Sequence, residues 1–363
     1  MYLSVKVRVQ IIINLSLFEY YNMDSQCGYS RIDKSTHIHW AGSAFLSLVL
    51  YCSGNFLLKD SDLPVFTKKL FGCLGYLICM LVMLSVHFIF LKQQNGNCPN
   101  LSPESVFLSK KGMTPGFSIG ILGGIFLFFA ELSYLEAWKL DPSGSSIVFF
   151  LLIGVIPICS LMSYIFYSEK FKVMQIVGIA ICVLGITLVG VLEIGLFSYL
   201  GGNLVAYLFG ISSMLFFSFR NISAKHVENK GLDVYTAGML NCAGECLAGC
   251  FLLGYVLIYD KNIYIMGSAQ LGLIVGAGTL VAFGQYFLNQ AVMTGNIGVV
   301  ISLFNLNGFG FILLDYVFYS YVPRVLTGIL FGVILIGVLI MLLGDKAIEN
   351  YRKKNRDSVV QVF

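Results

Sequence analysis

Charge is what this chain of 363 residues has least of: Asp, Glu, Lys and Arg make up only 12% of it. That is about half the roughly 25% expected of a soluble domain. Hydrophobic residues are 57%, and a soluble protein of this length lacks the interior to hide them. With a mean hydropathy of +0.83, the bilayer has to be the solvent. The net charge is a small +4, and basic residues sit at the ends of apolar segments, so no nucleic-acid footprint exists. The four histidines, His37, His39, His87 and His226, form no HExxH or His-x4-Asp pair. GxSxG and GxxxxGK[ST] are also missing, which argues against a hydrolase or an ATP-driven pump. The ten cysteines include no CxxC pair. The chain reads as no enzyme, with no metal and no cofactor.

What is present is a series of apolar runs. A membrane helix needs about 20 mostly apolar residues, and ten segments qualify: Trp40–Leu58, Phe71–Leu91, Gly116–Trp138, Ser145–Tyr167, Val173–Leu192, Leu200–Phe219, Tyr235–Tyr259, Leu271–Met293, Ile297–Tyr319 and Val325–Leu343. Short polar breaks such as Asp141-Pro142-Ser143-Gly144 and Glu228-Asn229-Lys230-Gly231 separate them. The one long break is Lys92–Pro115. Pro157 is expected to kink the fourth span. In the N-terminal tail, Lys6 and Arg8 precede a short apolar run, Val9 to Phe18, that is too short to span and lacks a small-x-small cleavage site. It reads as an interfacial or disordered tail, and Met23 is an alternative start to Met1.

Orientation follows the Lys and Arg distribution. With a cytoplasmic N-terminus, seventeen basic residues lie inside and six outside, which accounts for all 23. The outer six are Lys59, Lys68, Lys69, Lys139, Lys261 and Arg324. Both termini are then cytoplasmic, and the sequon Asn100-Leu101-Ser102 stays unglycosylated. The sequence leaves the plasma membrane and the Golgi or endoplasmic reticulum equally open.

The chain also repeats itself. Tyr164-Ile165-Phe166-Tyr167-Ser168 recurs as Tyr316-Val317-Phe318-Tyr319-Ser320. At the same offset Lys172-Val173 meets Arg324-Val325, and Gly185 meets Gly337; with a two-residue shift, Ala137 and Gly144 meet Ala291 and Gly298. Two copies of a five-helix unit have opposite orientations, because the number of spans per copy is odd. Many secondary transporters are built this way. The expected fold is all-α integral membrane, ten transmembrane helices as two inverted five-helix repeats: tail 1–39, first repeat 40–195, second repeat 196–344, basic tail 345–363.

Glu136-Ala137-Trp138-Lys139-Leu140-Asp141-Pro142, then Tyr167-Ser168-Glu169-Lys170-Phe171 and a helix punctuated by Gly178, Gly185 and Gly190 resemble the five-helix repeat of the drug/metabolite transporter superfamily. The resemblance covers nearly all of the chain after residue 40. It implies ten helices, inverted repeats and cytoplasmic termini; Glu169 fits an acidic family position, whereas Tyr321 replaces its counterpart. Phe219-Arg220-Asn221-Ile222-Ser223-Ala224-Lys225 with Gly231-Leu232-Asp233 resembles the organophosphate and nucleotide-sugar branch. Leu306-Asn307 stands where the phosphate exchangers carry a Lys-Arg pair, which argues against triose-phosphate exchange. The general metabolite-exporter branch fits about as well.

Ionisable groups deep in a span cost a few kcal/mol and mark candidate sites. Glu131 and Glu136, five apart on one helix, cannot share a face. Asn241 with Glu245, and Gln285 with Asn289, are spaced i, i+4 and do. Asn305, Asn307 and Asp315 lie in the ninth span, and Arg220 and Asn221 end the sixth, with Lys225 beyond. The candidate substrate-binding set is Glu131, Tyr134, Arg220, Asn221, Lys225, Asn241, Glu245, Gln285, Asn289, Asn305 and Asp315. Arg220 and Lys225, on the strength of the resemblance, would attract an anion; the amides would hydrogen-bond it, and Glu131 or Glu245 would exchange a proton. The alternatives are that the polar groups satisfy one another between helices and that Arg220 and Lys225 snorkel to a cytoplasmic surface. Cys242, Cys246 and Cys250, four residues apart, read as packing residues. The expected partners are a small-molecule substrate and the lipid bilayer, with no nucleic acid and a homodimer left open. The expected function is secondary transport of a small polar or anionic metabolite, with a nucleotide-sugar antiporter or a non-transporting membrane scaffold as alternatives.

Overall fold

An apolar segment surrounded by lipid has no water to satisfy its peptide groups, so it must close its hydrogen bonds within itself as a helix. The computed structural model describes residues 37–60, 63–97, 113–140, 154–168, 171–194, 204–230, 232, 234–260, 267–319 and most of 328–343. Among these there is helix and no strand. The helices are α1 His37–Asp60, α2 Val65–Asn97, α3 Met113–Leu140, α4 Val155–Tyr167, α5 Val173–Ile194 and α6 Leu204–Asn229. They continue with α7 Val234–Tyr255, extended by a π-helical turn Val256–Asp260, then α8 Ser268–Thr294, α9 Ile297–Phe304 and α10 Asn307–Tyr319. A last helical stretch runs over Gly328–Met341. Among the described residues, five helices are long and apolar enough to cross a membrane: α1, α2, α3, α7 and α8. Large apolar side chains on the outside, such as Phe45, Leu161, Phe166, Val173 and Phe251, form the kind of surface that lipid covers and water does not tolerate.

Two local expectations change. The ninth span is broken: Asn305 and Leu306 form a turn between α9 and α10. Pro157 sits in the first turn of α4, where its missing N–H leaves no helical bond unmade; residues 141–153 of the expected fourth span, against which a kink would be measured, lie outside the described residues. Lys68 and Lys69 belong to no outer segment; both are buried on α2. The tails, the sequon, Glu169, Tyr321 and the Asp315 side chain lie outside the described residues.

Packing is close wherever small residues meet. A Cβ added to Gly124 of α3 would collide with the Asn241 carbonyl of α7, and one on Gly244 of α7 would meet the Ile121 carbonyl of α3. Similarly, Gly75 of α2 abuts Gly278 and Thr279 of α8, and Gly278 abuts Gly72. These backbone approaches draw α3 onto α7 and α2 onto α8, while α3 also lies along α6 and α2 crosses α7. Every helix carrying a buried charge therefore meets at one place.

Candidate functional site

That meeting place holds three ionisable side chains. Lys69, one turn into α2, is 4% exposed, and its Nζ donates to Glu131 Oε2 of α3 at 2.6 Å and to Glu245 Oε1 of α7. Glu131 is 5% exposed and Glu245 fully buried. The hydroxyl of Tyr76 donates to the other Glu131 oxygen at 2.7 Å. Lys69 and Tyr76 reach the same place because i and i+7 share a helix face. Three of the four carboxylate oxygens thus have donors; Glu245 Oε2 has none among the described residues. The ring of Phe128 lies 4.9 Å below the ammonium, and cation–π attraction adds to its hold.

Arg220 of α6 forms the second feature and is 0% exposed. Its guanidinium donates to Asn221 Oδ1 at 2.8 Å and to the Gln285 backbone carbonyl of α8 at 3.0 Å. No carboxylate lies within ion-pair distance among the described residues, and its Nε has no partner there. Glu131 and Glu245 nevertheless act on it electrostatically. Around it, both polar atoms of the Gln285 amide, Asn289 Oδ1, Asn241 Oδ1 and Asn305 Nδ2 are buried with no protein partner among the described residues. Buried amides usually find partners.

Beside Arg220 lies a small cavity, lined by the rings of Tyr51, Phe217 and Phe304 and the amides of Asn221, Asn305 and Asn307. Tyr51 stands edge-on to Phe304 at 5.2 Å and to Phe217 at 6.3 Å. The space suffices for about one water molecule. Asn305 and Asn307 reach it because the ninth span is broken there, which turns α9 into α10 beside the cavity. Interrupted helices of this kind frame midplane sites in transporters.

The other candidates are placed as follows. Glu136 faces away from Glu131 and pairs with exposed Lys139 at 4.0 Å, the split that their spacing predicts. Tyr134 is buried with its ring 4.4 Å from that of Trp138. Lys225 pairs with Glu228 at 2.8 Å and points at the Val292 and Gly295 carbonyls at the end of α8. A cation at a helix C-terminus is favourable without any substrate. Full burial rules out snorkelling for Arg220. Cys242 is buried, and Cys246 donates to the Cys73 carbonyl of α2 at 3.7 Å. Sequence reasoning missed Lys69, Tyr76 and Tyr51. The available signal was the run Lys69, Cys73, Tyr76 at i, i+4, i+7, one polar stripe leading into an apolar span.

No protein-family model matches the chain, and no curated protein matches it. The fold recurs among solved structures, with 29 matching chains. One of them, a crystal structure described only as that of a protein, superposes with a TM-score of 0.61 at 16% identity, over 85% of this chain and 98% of that one. Identity that low speaks for the fold alone. The class is therefore an all-helical membrane protein with a buried, charged core.

Proposed function

We propose that this protein is a secondary transporter that carries a small anionic metabolite through alternating access of a site around Arg220. The observation carrying the reading is Arg220 itself: a guanidinium with no exposed surface and no carboxylate partner among the described residues. Its guanidinium is held by an amide and a carbonyl in place of a carboxylate, and an anionic substrate would give it the stronger, charge-assisted hydrogen bonds that it lacks. The unanswered amides of Gln285, Asn289, Asn241 and Asn305 would bond the rest of that guest. A cavity that holds about one water is too small for a metabolite, so entry requires the helices to part.

The packing supports two inverted halves. One spacing along the chain separates Gly54 from Ser223, Gly72 from Asn241, and Gly75 from Gly244; a second separates Gly123 from Ala277 and Gly124 from Gly278. The contacts follow the same rule. Gly123 of α3 meets Ser223 of α6 as Ala277 of α8 meets Gly54 of α1, and Gly124 meets Asn241 as Gly278 meets Gly72. Near the chain end, Gly185 faces Ile334 while Gly337 faces Cys182, a reciprocal pair expected on an internal two-fold axis.

The test is uptake by proteoliposomes containing the full chain, screened against nucleotide sugars, sugar phosphates and amino acids. At least one anionic probe is expected to accumulate, and Arg220→Gln should reduce that uptake at least tenfold while the protein still purifies as a folded species. Neutral probes crossing as fast as anions would refute the role of Arg220. A wild type that moves none of them would favour a scaffold.

A further inference from the structure

We propose that Lys69, clasped between Glu131 and Glu245, couples transport to protons: a singly charged substrate anion enters with one proton bound by this carboxylate pair. The proposal rests on the transporter reading and adds its driving force.

The formal charges require it. The site holds two cations, Lys69 and Arg220, and two anions, Glu131 and Glu245, all buried. The remaining titratable groups facing Glu245 and Lys69 are Tyr51 of α1, Cys73 and Tyr76 of α2, and Cys242 and Cys246 of α7. Phenols and thiols are neutral near pH 7. The core therefore sums to zero without substrate. An anion added to it would leave a net buried charge, and low-dielectric surroundings penalise that heavily. Only the carboxylates can restore neutrality without a group leaving the site, by taking up a proton.

The geometry also selects the oxygen. Both Glu131 oxygens are engaged, one by Lys69 and one by Tyr76, and Glu245 Oε1 is engaged by Lys69. Glu245 Oε2 is the carboxylate oxygen with no donor, so it accepts the proton. A hydronium ion on the open side gives up the proton, its O–H bond breaking as one forms on Glu245 Oε2; on the opposite side that bond breaks and water takes the proton as the substrate leaves. A protonated Glu245 no longer holds the ammonium by charge, and Lys69 is released to share the substrate anion with Arg220. A singly charged anion then travels with one proton.

The experiment uses the full chain in proteoliposomes that enclose a pH-sensitive dye, with glutamate, glucose 6-phosphate and UDP-glucose as anionic probes and alanine as the neutral one. For a singly charged probe the uptake rate should rise about tenfold for each unit of external acidification above the titration range, the slope of one obligatory proton. The lumen should acidify in step. Glu245→Gln should retain exchange of internal for external probe but lose both the pH dependence and the proton movement, whereas with a merely structural Glu245 the variant that folds would keep the coupling. Lys69→Gln should lower uptake with melting still cooperative. Probe uptake without proton movement in the wild type, or undiminished proton movement in Glu245→Gln, overturns the coupling while leaving the transporter intact. If no probe crosses at all, the transporter reading fails and this proposal fails with it. Infrared titration of the purified protein decides independently of substrate: a carboxylic-acid C=O band that appears on acidification must be present in the wild type and missing in Glu245→Gln. Its absence from the wild type refutes the proposal outright.

Discussion

Lys69 holds two carboxylates, and removing it has a different consequence from removing either of them. With Lys69→Met, Glu131 and Glu245 face one another in a buried site without a counter-ion. Breaking a buried pair from one side costs about 3–5 kcal/mol, whereas replacing all of its members with neutral groups is often nearly neutral. Lys69→Met should therefore melt well below wild type, and Lys69→Met/Glu131→Gln/Glu245→Gln should recover most of the difference. The sign of the pH effect follows from the same charges. Acid neutralises the stranded carboxylates, so the deficit of the single variant should be largest at alkaline pH and shrink as pH falls. Melting of the two variants in nanodiscs across pH 5–9 checks both statements, and a triple variant no better than the single one would show that the triad is more than its charges. Arg220 differs in kind. It has amide and carbonyl partners in place of a carboxylate, so its loss should register in transport more than in stability.

At the scale of the helices, the ion triad depends on three backbones approaching closely. Gly124 and Gly244 let α3 and α7 touch through main chain, which brings Glu131 and Glu245 onto one ammonium. Gly124→Val has no room to relax, since the atom it meets is a carbonyl and not a flexible side chain; overpacking of this kind costs typically 1–3 kcal/mol. Gly272→Val, on an α8 position with nothing within 4 Å, should cost little. A thermal-shift comparison of the two tests whether α3 and α7 pack as described, and equal losses would argue against it. Helix packing also explains what the sequence could reveal. The apolar runs of α1, α3, α7 and α8 were legible with nearly correct ends, because insertion into lipid is a local property of composition; α2 was legible as a span, but it begins at Val65, well before the expected Phe71. The face occupied by Glu131, as distinct from Glu136, was legible from helical geometry. Lys69 was not, because two adjacent lysines before an apolar run look like a loop end, and only the carboxylates of α3 and α7 make burial tolerable. The break at Asn305-Leu306 was hidden for a related reason: where a helix begins or stops inside an apolar run is decided by neighbours, not by hydropathy.

For the whole molecule, the decisive question is whether the halves are inverted, since alternating access in this design comes from two equivalent arrangements of opposite-facing repeats. The recurring contacts of α3 with α6 and α7, matched by those of α8 with α1 and α2, fit the relation. The halves are not chemically alike, however. The spacing that carries Gly124 onto Gly278 also carries Glu131 onto Gln285, so the first half holds the ionised group where the second holds a neutral amide. That difference leaves Glu131 without an ionisable counterpart, while Glu245 and the unanswered amides of Asn241, Gln285, Asn289 and Asn305 all lie in the second half. Inversion makes a topological prediction. Pro64, between α1 and α2, and Lys230, just after α6, are exposed, hold comparable places in the two halves and must lie on opposite faces of the membrane. In a cysteine-free background, Pro64→Cys should react with a membrane-impermeant maleimide on intact cells, if the protein reaches the plasma membrane, or on sealed vesicles of known orientation. Lys230→Cys should react only after permeabilisation. Exchanged labelling would reverse the orientation inferred from the basic residues yet keep the inversion. Labelling of both from one side would mean that the repeats run parallel, and a fold with parallel halves has no symmetry operation that turns an inward-open site into an outward-open one.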